Sequence, residues 1–164
     1  MNLHRDITVA FTGHRSYAGE ADEELHRVVE QLYEQGFRRF LCGMAWGWDL
    51  AAGKVVMQLK ESYPDVELVA VEPYRGFERL FHGVDAELYK SVAEAADSIE
   101  VTSDNGSDVS YMLRNNFLVD NASVVVAWWN GVPKGGTAYT VRRARKSGVE
   151  MINLFTDLQL DLGF

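Results

Sequence analysis

Two hydrophobic periods alternate from one end of this chain to the other, and that alternation limits its fold more than any single residue does. Residues 7–11 (ITVAF), 37–42 (FRRFLC), 66–71 (VELVAV), 98–102 (SIEVT), 123–128 (SVVVAW) and 150–154 (EMINL) are short and rich in β-branched or aromatic side chains, as strands are. The segments between them repeat at helical spacing. In residues 20–36 Leu25, Val28, Val29, Leu32 and Tyr33 fall on one helical face, and Gly36 supplies the stop. Ala52, Val55, Val56 and Leu59 mark a second helix, and Leu88, Val92, Ala95 and Ala96 a third. Val109, Met112, Leu113, Asn116 and Phe117 mark a fourth. Thr137, Val141, Ala144 and Arg145 open a fifth, whose last turns carry Arg142, Arg143, Arg145 and Lys146 where a helix dipole favours cations. Strands that alternate with helices need right-handed crossovers. The pattern therefore predicts a three-layer α/β fold, a mainly parallel sheet of about six strands flanked by helices, with the first strand between the second and the fifth.

Composition sets the outer limits. At 164 residues, 47% of them apolar, the chain is long enough for one full core, and one domain over residues 1–164 is expected. A formal charge of -8 argues against long nucleic acid as a partner, because neutralising phosphates takes clustered Lys and Arg. The one cysteine, Cys42, has no internal partner for a disulfide, and no run approaches the ~20 apolar residues of a membrane span. The first residues lack a secretion-signal pattern, so a cytoplasmic location and no membrane partner are expected. His4, His14, His26 and His82 are scattered without ligand spacing, so neither a metal nor a required cofactor is expected. Residues 73–84 and 103–108 read as loops. The acidic, partly apolar tail from residue 155 to 164 reads either as a helical turn docked on the core or as a partner contact.

In an open parallel sheet the ligand crevice lies beyond the carboxyl ends of the strands, so the residues just after each strand are the informative ones. After the first come Thr12, Gly13, His14 and Arg15, a hydroxyl, a permissive backbone and cationic groups suited to a phosphate-bearing ligand; a plain turn with Arg15 in solvent is the other reading. After the second comes GMAWGWDLAAGK, in which Gly43 and Gly47 allow close backbone approach. Asp49 there is either a helix N-cap or a partner for sugar hydroxyls, and Trp46 and Trp48 either stack on a base or pack. The loop matches neither a dinucleotide fingerprint nor a P-loop. After the third, Glu72, Tyr74, Arg75 and Arg79 lie on a segment that could close over a ligand. Arg114, Asn115 and Asp120 share the fourth helix. After the fifth strand, WWNGVPKGGTAYT provides a turn at Asn130 and Gly131, then Gly135, Gly136 and Thr137 leading into a helix, which points backbone N–H groups and a hydroxyl at an anion; a tight connection with Thr137 as N-cap is the plainer alternative.

Taken together, TGHR, GMAWGWDLAA, RNNFLVDNASVVVAWWNG and KGGTAYTV resemble the YpsA/YspA-type branch of the SLOG superfamily, the Rossmann-like group named after the Smf/DprA and LOG proteins. The resemblance covers about residues 7–155 and implies a nucleotide or nucleotide-derived ligand, such as a nucleoside monophosphate or a relative of ADP-ribose or NAD. It carries over to Thr12, Gly13 and Arg15, to Gly43, Gly47 and Asp49, to Arg114, Asn115 and Asp120, and to Gly135, Gly136 and Thr137. LOG enzymes have a glutamate three residues after the Gly-Thr pair of PGGxGTxxE. Here that position is Thr140, which has no carboxylate to stabilise an oxocarbenium ion. Two function classes follow. One is a sensor or regulatory module that binds the ligand without cleaving it, with a protein partner or a second copy of the chain to receive the signal. The other is an N-glycosidase or nucleotide hydrolase that uses Asp49, Asp120 and Arg114 instead.

Overall fold

The computed structural model describes residues 4–156. Among them the strands β1 (Thr8–Gly13), β2 (Arg39–Cys42), β3 (Glu67–Glu72), β4 (Ser98–Val101), β5 (Val124–Trp128) and β6 (Glu150–Asn153) alternate with helices α1 (Asp22–Glu34), α2 (Trp48–Ser62), α3 (Gly83–Ala95), α4 (Asp108–Asp120) and α5 (Gly135–Lys146). The sheet runs β4-β3-β2-β1-β5-β6 with every pair parallel. This is the Rossmann-like α/β arrangement that the alternation predicts. The chain steps outward from β1 to β4, then returns to the other side of β1 for β5 and β6. The order reverses at β1, and the crevice of such a sheet opens above that reversal.

Side chains alternate along a strand, so Val9 and Phe11 face one layer and Ala10 the other. On the first face Leu25, Val28, Val29 and Leu32 of α1, with Ala52, Val55 and Val56 of α2, bury against Phe11, Phe40, Leu68 and Val126. Each such side chain contributes about 1.5–3 kcal/mol by leaving water, so this stripe outweighs any surface contact α1 makes. On the second face Leu118 and Val119 of α4 and Ala144 of α5 cover Ala10, Leu41, Val69 and Val125.

Two helices turn differently from their hydropathy. The apolar stripe of α4 is exposed at Val109, Met112 and Leu113, while Ser110, Arg114, Asn115, Leu118 and Val119 are buried. The helix is thus rotated by one residue, about 100°, from the face expected of it. The physical reason is that the polar stripe finds partners inside: Arg114 donates to the Gly43 carbonyl and to Asn115 Oδ1. In α5 the buried face is Ala138, Thr140, Val141 and Ala144; Thr137 is half-buried and Arg145 exposed. Residues 103–107 form a loop, with α4 already starting at Asp108, whereas 73–84 include a short helical turn at Phe77–Leu80 and the start of α3. Phe155 packs on Trp128 with ring centroids 4.7 Å apart, and residues 157–164 of the tail lie outside the described residues.

Candidate functional site

A cavity of about 500 Å³ opens at the carboxyl edge of the sheet, over the end of β1. Its floor is Phe11, Thr12, Gly13 and His14. One wall is Ala45 and Asp49 at the start of α2. The opposite wall is Lys134, Gly135, Gly136 and Thr137 at the start of α5, and α4 closes the back with Asp108, Tyr111, Arg114, Asn115 and Leu118. Arg15 stands at the rim, its guanidinium 4.3 Å from the Trp46 ring centroid and 5.3 Å from that of Tyr111. Stacking between two rings holds a long side chain in place that would otherwise range through solvent.

The interior holds opposite charges that feel each other without a direct ion pair. Asp49 and Arg114 are both buried. Burial pushes the Asp49 carboxyl up from its ordinary value, while Arg114, the Ala45 N–H and Arg15 pull the other way. Burial likewise lowers Arg114, and Asp49 opposes this. The Ala45 N–H donates to Asp49 Oδ2 at 3.2 Å. Asp49 is not the N-cap of α2: Gly47 holds that position, and the carboxylate reaches back to the loop that precedes the helix. Nearby Cys42 donates to the Asp49 carbonyl, and burial pushes its thiol up to about 12, which leaves it unreactive as a thiolate.

Facing this pair is the start of α5. Lys134 is the N-cap and makes no side-chain capping bond, and Thr137 sits in the first turn rather than at the cap. The first-turn N–H groups of a helix have no partner within it, and none comes from a capping side chain here. Thr12, 6% exposed, lines the cavity, and its hydroxyl has no hydrogen-bond partner among the described residues. His14 accepts a hydrogen bond at Nε2 from the Asn130 N–H at 3.1 Å; burial lowers its pKa, with the contact to Asn130 opposing. A ring that accepts there is neutral, with its proton on Nδ1. The charged groups of the lining are then Arg15, Arg114 and Lys134 against Asp49 and Asp108, a positive pocket on a protein of charge -8.

Of the residues singled out from sequence, Thr12, Gly13, His14, Arg15, Asp49, Arg114, Asn115, Gly135, Gly136 and Thr137 meet at this cavity. The others lie elsewhere. Gly43 is behind the wall, where its carbonyl accepts from Arg114, and Gly47 packs against the backbone of Arg15. Arg75 pairs with Asp104 at 3.0 Å on the surface rather than closing over a ligand. Asp120 faces away and pairs with Arg143 at 3.0 Å, because it lies beyond the last turn of the α4 stripe that lines the cavity. Asn130 supports His14 from outside the lining. Trp48 is core, buried against Tyr17 at 4.8 Å, and only Trp46 reaches the rim. Sequence reasoning missed Tyr111, Asp108 and Lys134. The first two were findable, since Asp108, Tyr111, Arg114, Asn115 and Leu118 stand at helical spacing once Arg114 is taken as facing the site. Among the described residues no group of His, Cys, Asp and Glu is arranged to hold a metal, and no helix is long and apolar enough to cross a membrane.

Comparison with known proteins places this geometry in a family. A UPF0398 protein of Bacillus cereus (strain B4264) is 27% identical over 143 residues, 82% of this chain and 77% of that protein. A UPF0398 protein of Bacillus thuringiensis (strain Al Hakam) is 26% identical over the same length and shares. Among solved structures, DNA processing protein A from Helicobacter pylori, described for its single-stranded DNA binding mode, superposes with a TM-score of 0.65 at 18% identity over 97% of this chain and 74% of that one. DNA processing protein A from Streptococcus pneumoniae gives 0.63 at 18% identity, with 91% of this chain spanning half of that one. At such identity the two structures show a shared fold. Residues 9–156 match the model of the YspA SLOG family, and the chain belongs to that family.

Proposed function

We propose that this YspA SLOG protein binds a small nucleotide or nucleotide-derived ligand in the β1 cavity and acts as a sensor or regulatory module. The observation that carries the reading is the uncapped α5 N-terminus facing the unpartnered Thr12 hydroxyl, which opens to the cavity, across a positively lined space. A phosphate belongs at Gly135, Gly136 and Thr137, with Lys134 and Arg15 as charge partners. Sugar hydroxyls belong at Thr12 and Asp49, since a carboxylate accepts from hydroxyls and repels phosphate.

The same geometry favours holding over cleaving. Glycosidic cleavage builds positive charge on the sugar, and here the one buried carboxylate is already opposed by Arg114. Thr140 does not replace the missing glutamate: its hydroxyl donates to the Gly136 carbonyl at 2.9 Å, back into its own helix. A hydrolase is the second reading, and Asp49 in the lining is what favours it; Asp120 is out of reach.

One assay separates these. Purified protein is melted with AMP, NAD and ADP-ribose while free base is followed by chromatography. Binding alone raises the melting temperature with no base released; a ligand at a hundred times its Kd adds about 2.7 kcal/mol. Base release that falls on Asp49→Asn establishes the hydrolase. The Helicobacter pylori neighbour's association with single-stranded DNA stands in tension with the expectation that the charge disfavours long nucleic acid, so a short single-stranded oligodeoxynucleotide belongs in the same series. Stabilisation by the oligonucleotide alone overturns the small-ligand reading.

A further inference from the structure

A second cavity, of about 570 Å³, lies on the other side of the sheet edge, between α3 and β4. Its floor is apolar, formed by Ala86, Tyr89, Ala93 and Ile99, and its rim is acidic, with Glu72, Glu78 and Glu94 against the single cation Lys90. Tyr89 donates to Glu72 Oε2, which fixes that carboxylate at one end of the groove. The groove runs beside the edge of the sheet: among the described residues β4 pairs with β3 alone and leaves Ser98, Ile99 and Glu100 exposed. Ile99 is paired with Ala70 and turns to the α3 side, so Glu100, one residue on, turns to the opposite side. Both faces of this edge therefore carry acid. The wider surroundings agree, since residues 72–108 hold nine acidic and three basic side chains.

We propose that β4 and the α3 groove are a docking site for an extended, basic peptide segment that adds to the sheet as a seventh strand. An open strand edge offers a row of backbone donors and acceptors to such a segment. Alternate side chains of the added strand would fall on the groove and on the Glu100 side. A Lys or Arg suits both positions, because its aliphatic stem covers an apolar floor while its charge reaches a carboxylate beyond. A second copy of this chain is the weaker occupant. Pairing β4 with β4 would set two acidic edges against each other, and like charges across strands disfavour that contact.

The probe is a peptide of about eight alternating arginine and valine residues, long enough to run the length of a strand. It is compared with its glutamate–valine counterpart by backbone NMR and amide hydrogen exchange on the full chain. The arginine peptide should slow exchange at Ser98–Val101 and shift the resonances of Ala93 and Ile99, and the glutamate peptide should do neither. Affinity should drop about tenfold on going from about 0.05 M to about 0.5 M salt, and similarly in the double variant Glu78→Gln, Glu94→Gln, whose changes lie on the exposed rim. Peptide binding that leaves the β4 amides untouched, or that ignores the two glutamate changes, overturns the proposal. So does sedimentation showing a peptide-free dimer in which those amides are already protected, which would give the edge to a second copy.

Discussion

Two glycine-rich loops lead from strand to helix on either side of β1, and they are built for opposite ends. After β2 the space around the glycines is taken by the protein itself. A Cβ on Gly43 would meet Asp49 at 2.8 Å and Arg114 at 3.1 Å, and one on Gly47 would meet the Arg15 carbonyl oxygen at 2.4 Å. After β5 the space is empty. Among the described residues outside their own helix, nothing lies within 4 Å of a Cβ on Gly135, and only the Asn115 amide, at 3.6 Å, approaches one on Gly136. In the first loop glycine serves packing; in the second it keeps a helix end open. The contrast teaches that glycine content marks close approach without saying what approaches.

The packed loop is where substitution should cost most. Arg114→Ala removes the cation that faces Asp49 and leaves both that carboxylate and the Gly43 carbonyl without it, so a loss of about 3–5 kcal/mol is expected in denaturant unfolding. The double variant Asp49→Asn, Arg114→Met should cost less than Arg114→Ala alone, because no unpaired charge stays behind. A double variant that is worse than the single would show that the two residues do not form an electrostatic unit. Gly47→Ala comes next. Gly47 has φ 78° and ψ -122°, a conformation outside the left-handed α region that costs an L-residue about 1–3 kcal/mol, and the collision with the Arg15 backbone adds to it. The expected total is about 2–4 kcal/mol in the same measurement.

The open loop should respond with the opposite sign. Gly136→Ala adds a methyl group with no backbone in its way, and alanine in a helix is favoured over glycine by about 0.5–1 kcal/mol. Stability should hold or rise slightly while the affinity for AMP or ADP-ribose falls about tenfold or more, the worth of one lost charge-assisted contact. If Gly136→Ala instead unfolds the protein, or leaves nucleotide affinity intact, the second loop is packing like the first.

How much of this could be read from sequence follows from which physical signal carries each part. The sheet was legible, including β1 between β2 and β5, because strand and helix periods differ and crossovers have one hand. The cavity was legible where residues follow strand ends, as with Thr12, Arg15 and Gly135. It was not legible on α4. There hydropathy assigned Met112 and Leu113 to the core, yet the helix turns Arg114 and Asn115 inward, since Arg114 donates across 71 positions of sequence to the Gly43 carbonyl and to Asn115 Oδ1, which compensates their burial. Asp120 was misplaced for the same reason. A helix face is chosen by what it meets, and a single sequence does not display its partner.

The smallest effect tests the seam between the two sides. His14 accepts the Asn130 N–H and so ties the end of β1 to the loop that presents α5. Only the neutral ring can do this. Its pKa in the folded chain is below the ordinary 6.5, so between the two values the unfolded chain binds more protons than the folded one. The stability His14 contributes is therefore present above about pH 6.5 and is lost as pH falls through the folded value. Asp49 acts with the opposite sign, because its raised pKa makes protonation of the folded state favourable on acidification. The quantity to measure is thus the difference between the wild type and His14→Gln, whose side-chain oxygen keeps an acceptor but does not titrate. Melting temperatures from pH 7.5 down to about pH 5 should fall more steeply for the wild type, and nucleotide affinity should weaken with them as the β5 loop loses its tether. Parallel curves for the two proteins would mean that the Asn130 bond carries no load, and that the open loop holds its shape without β1.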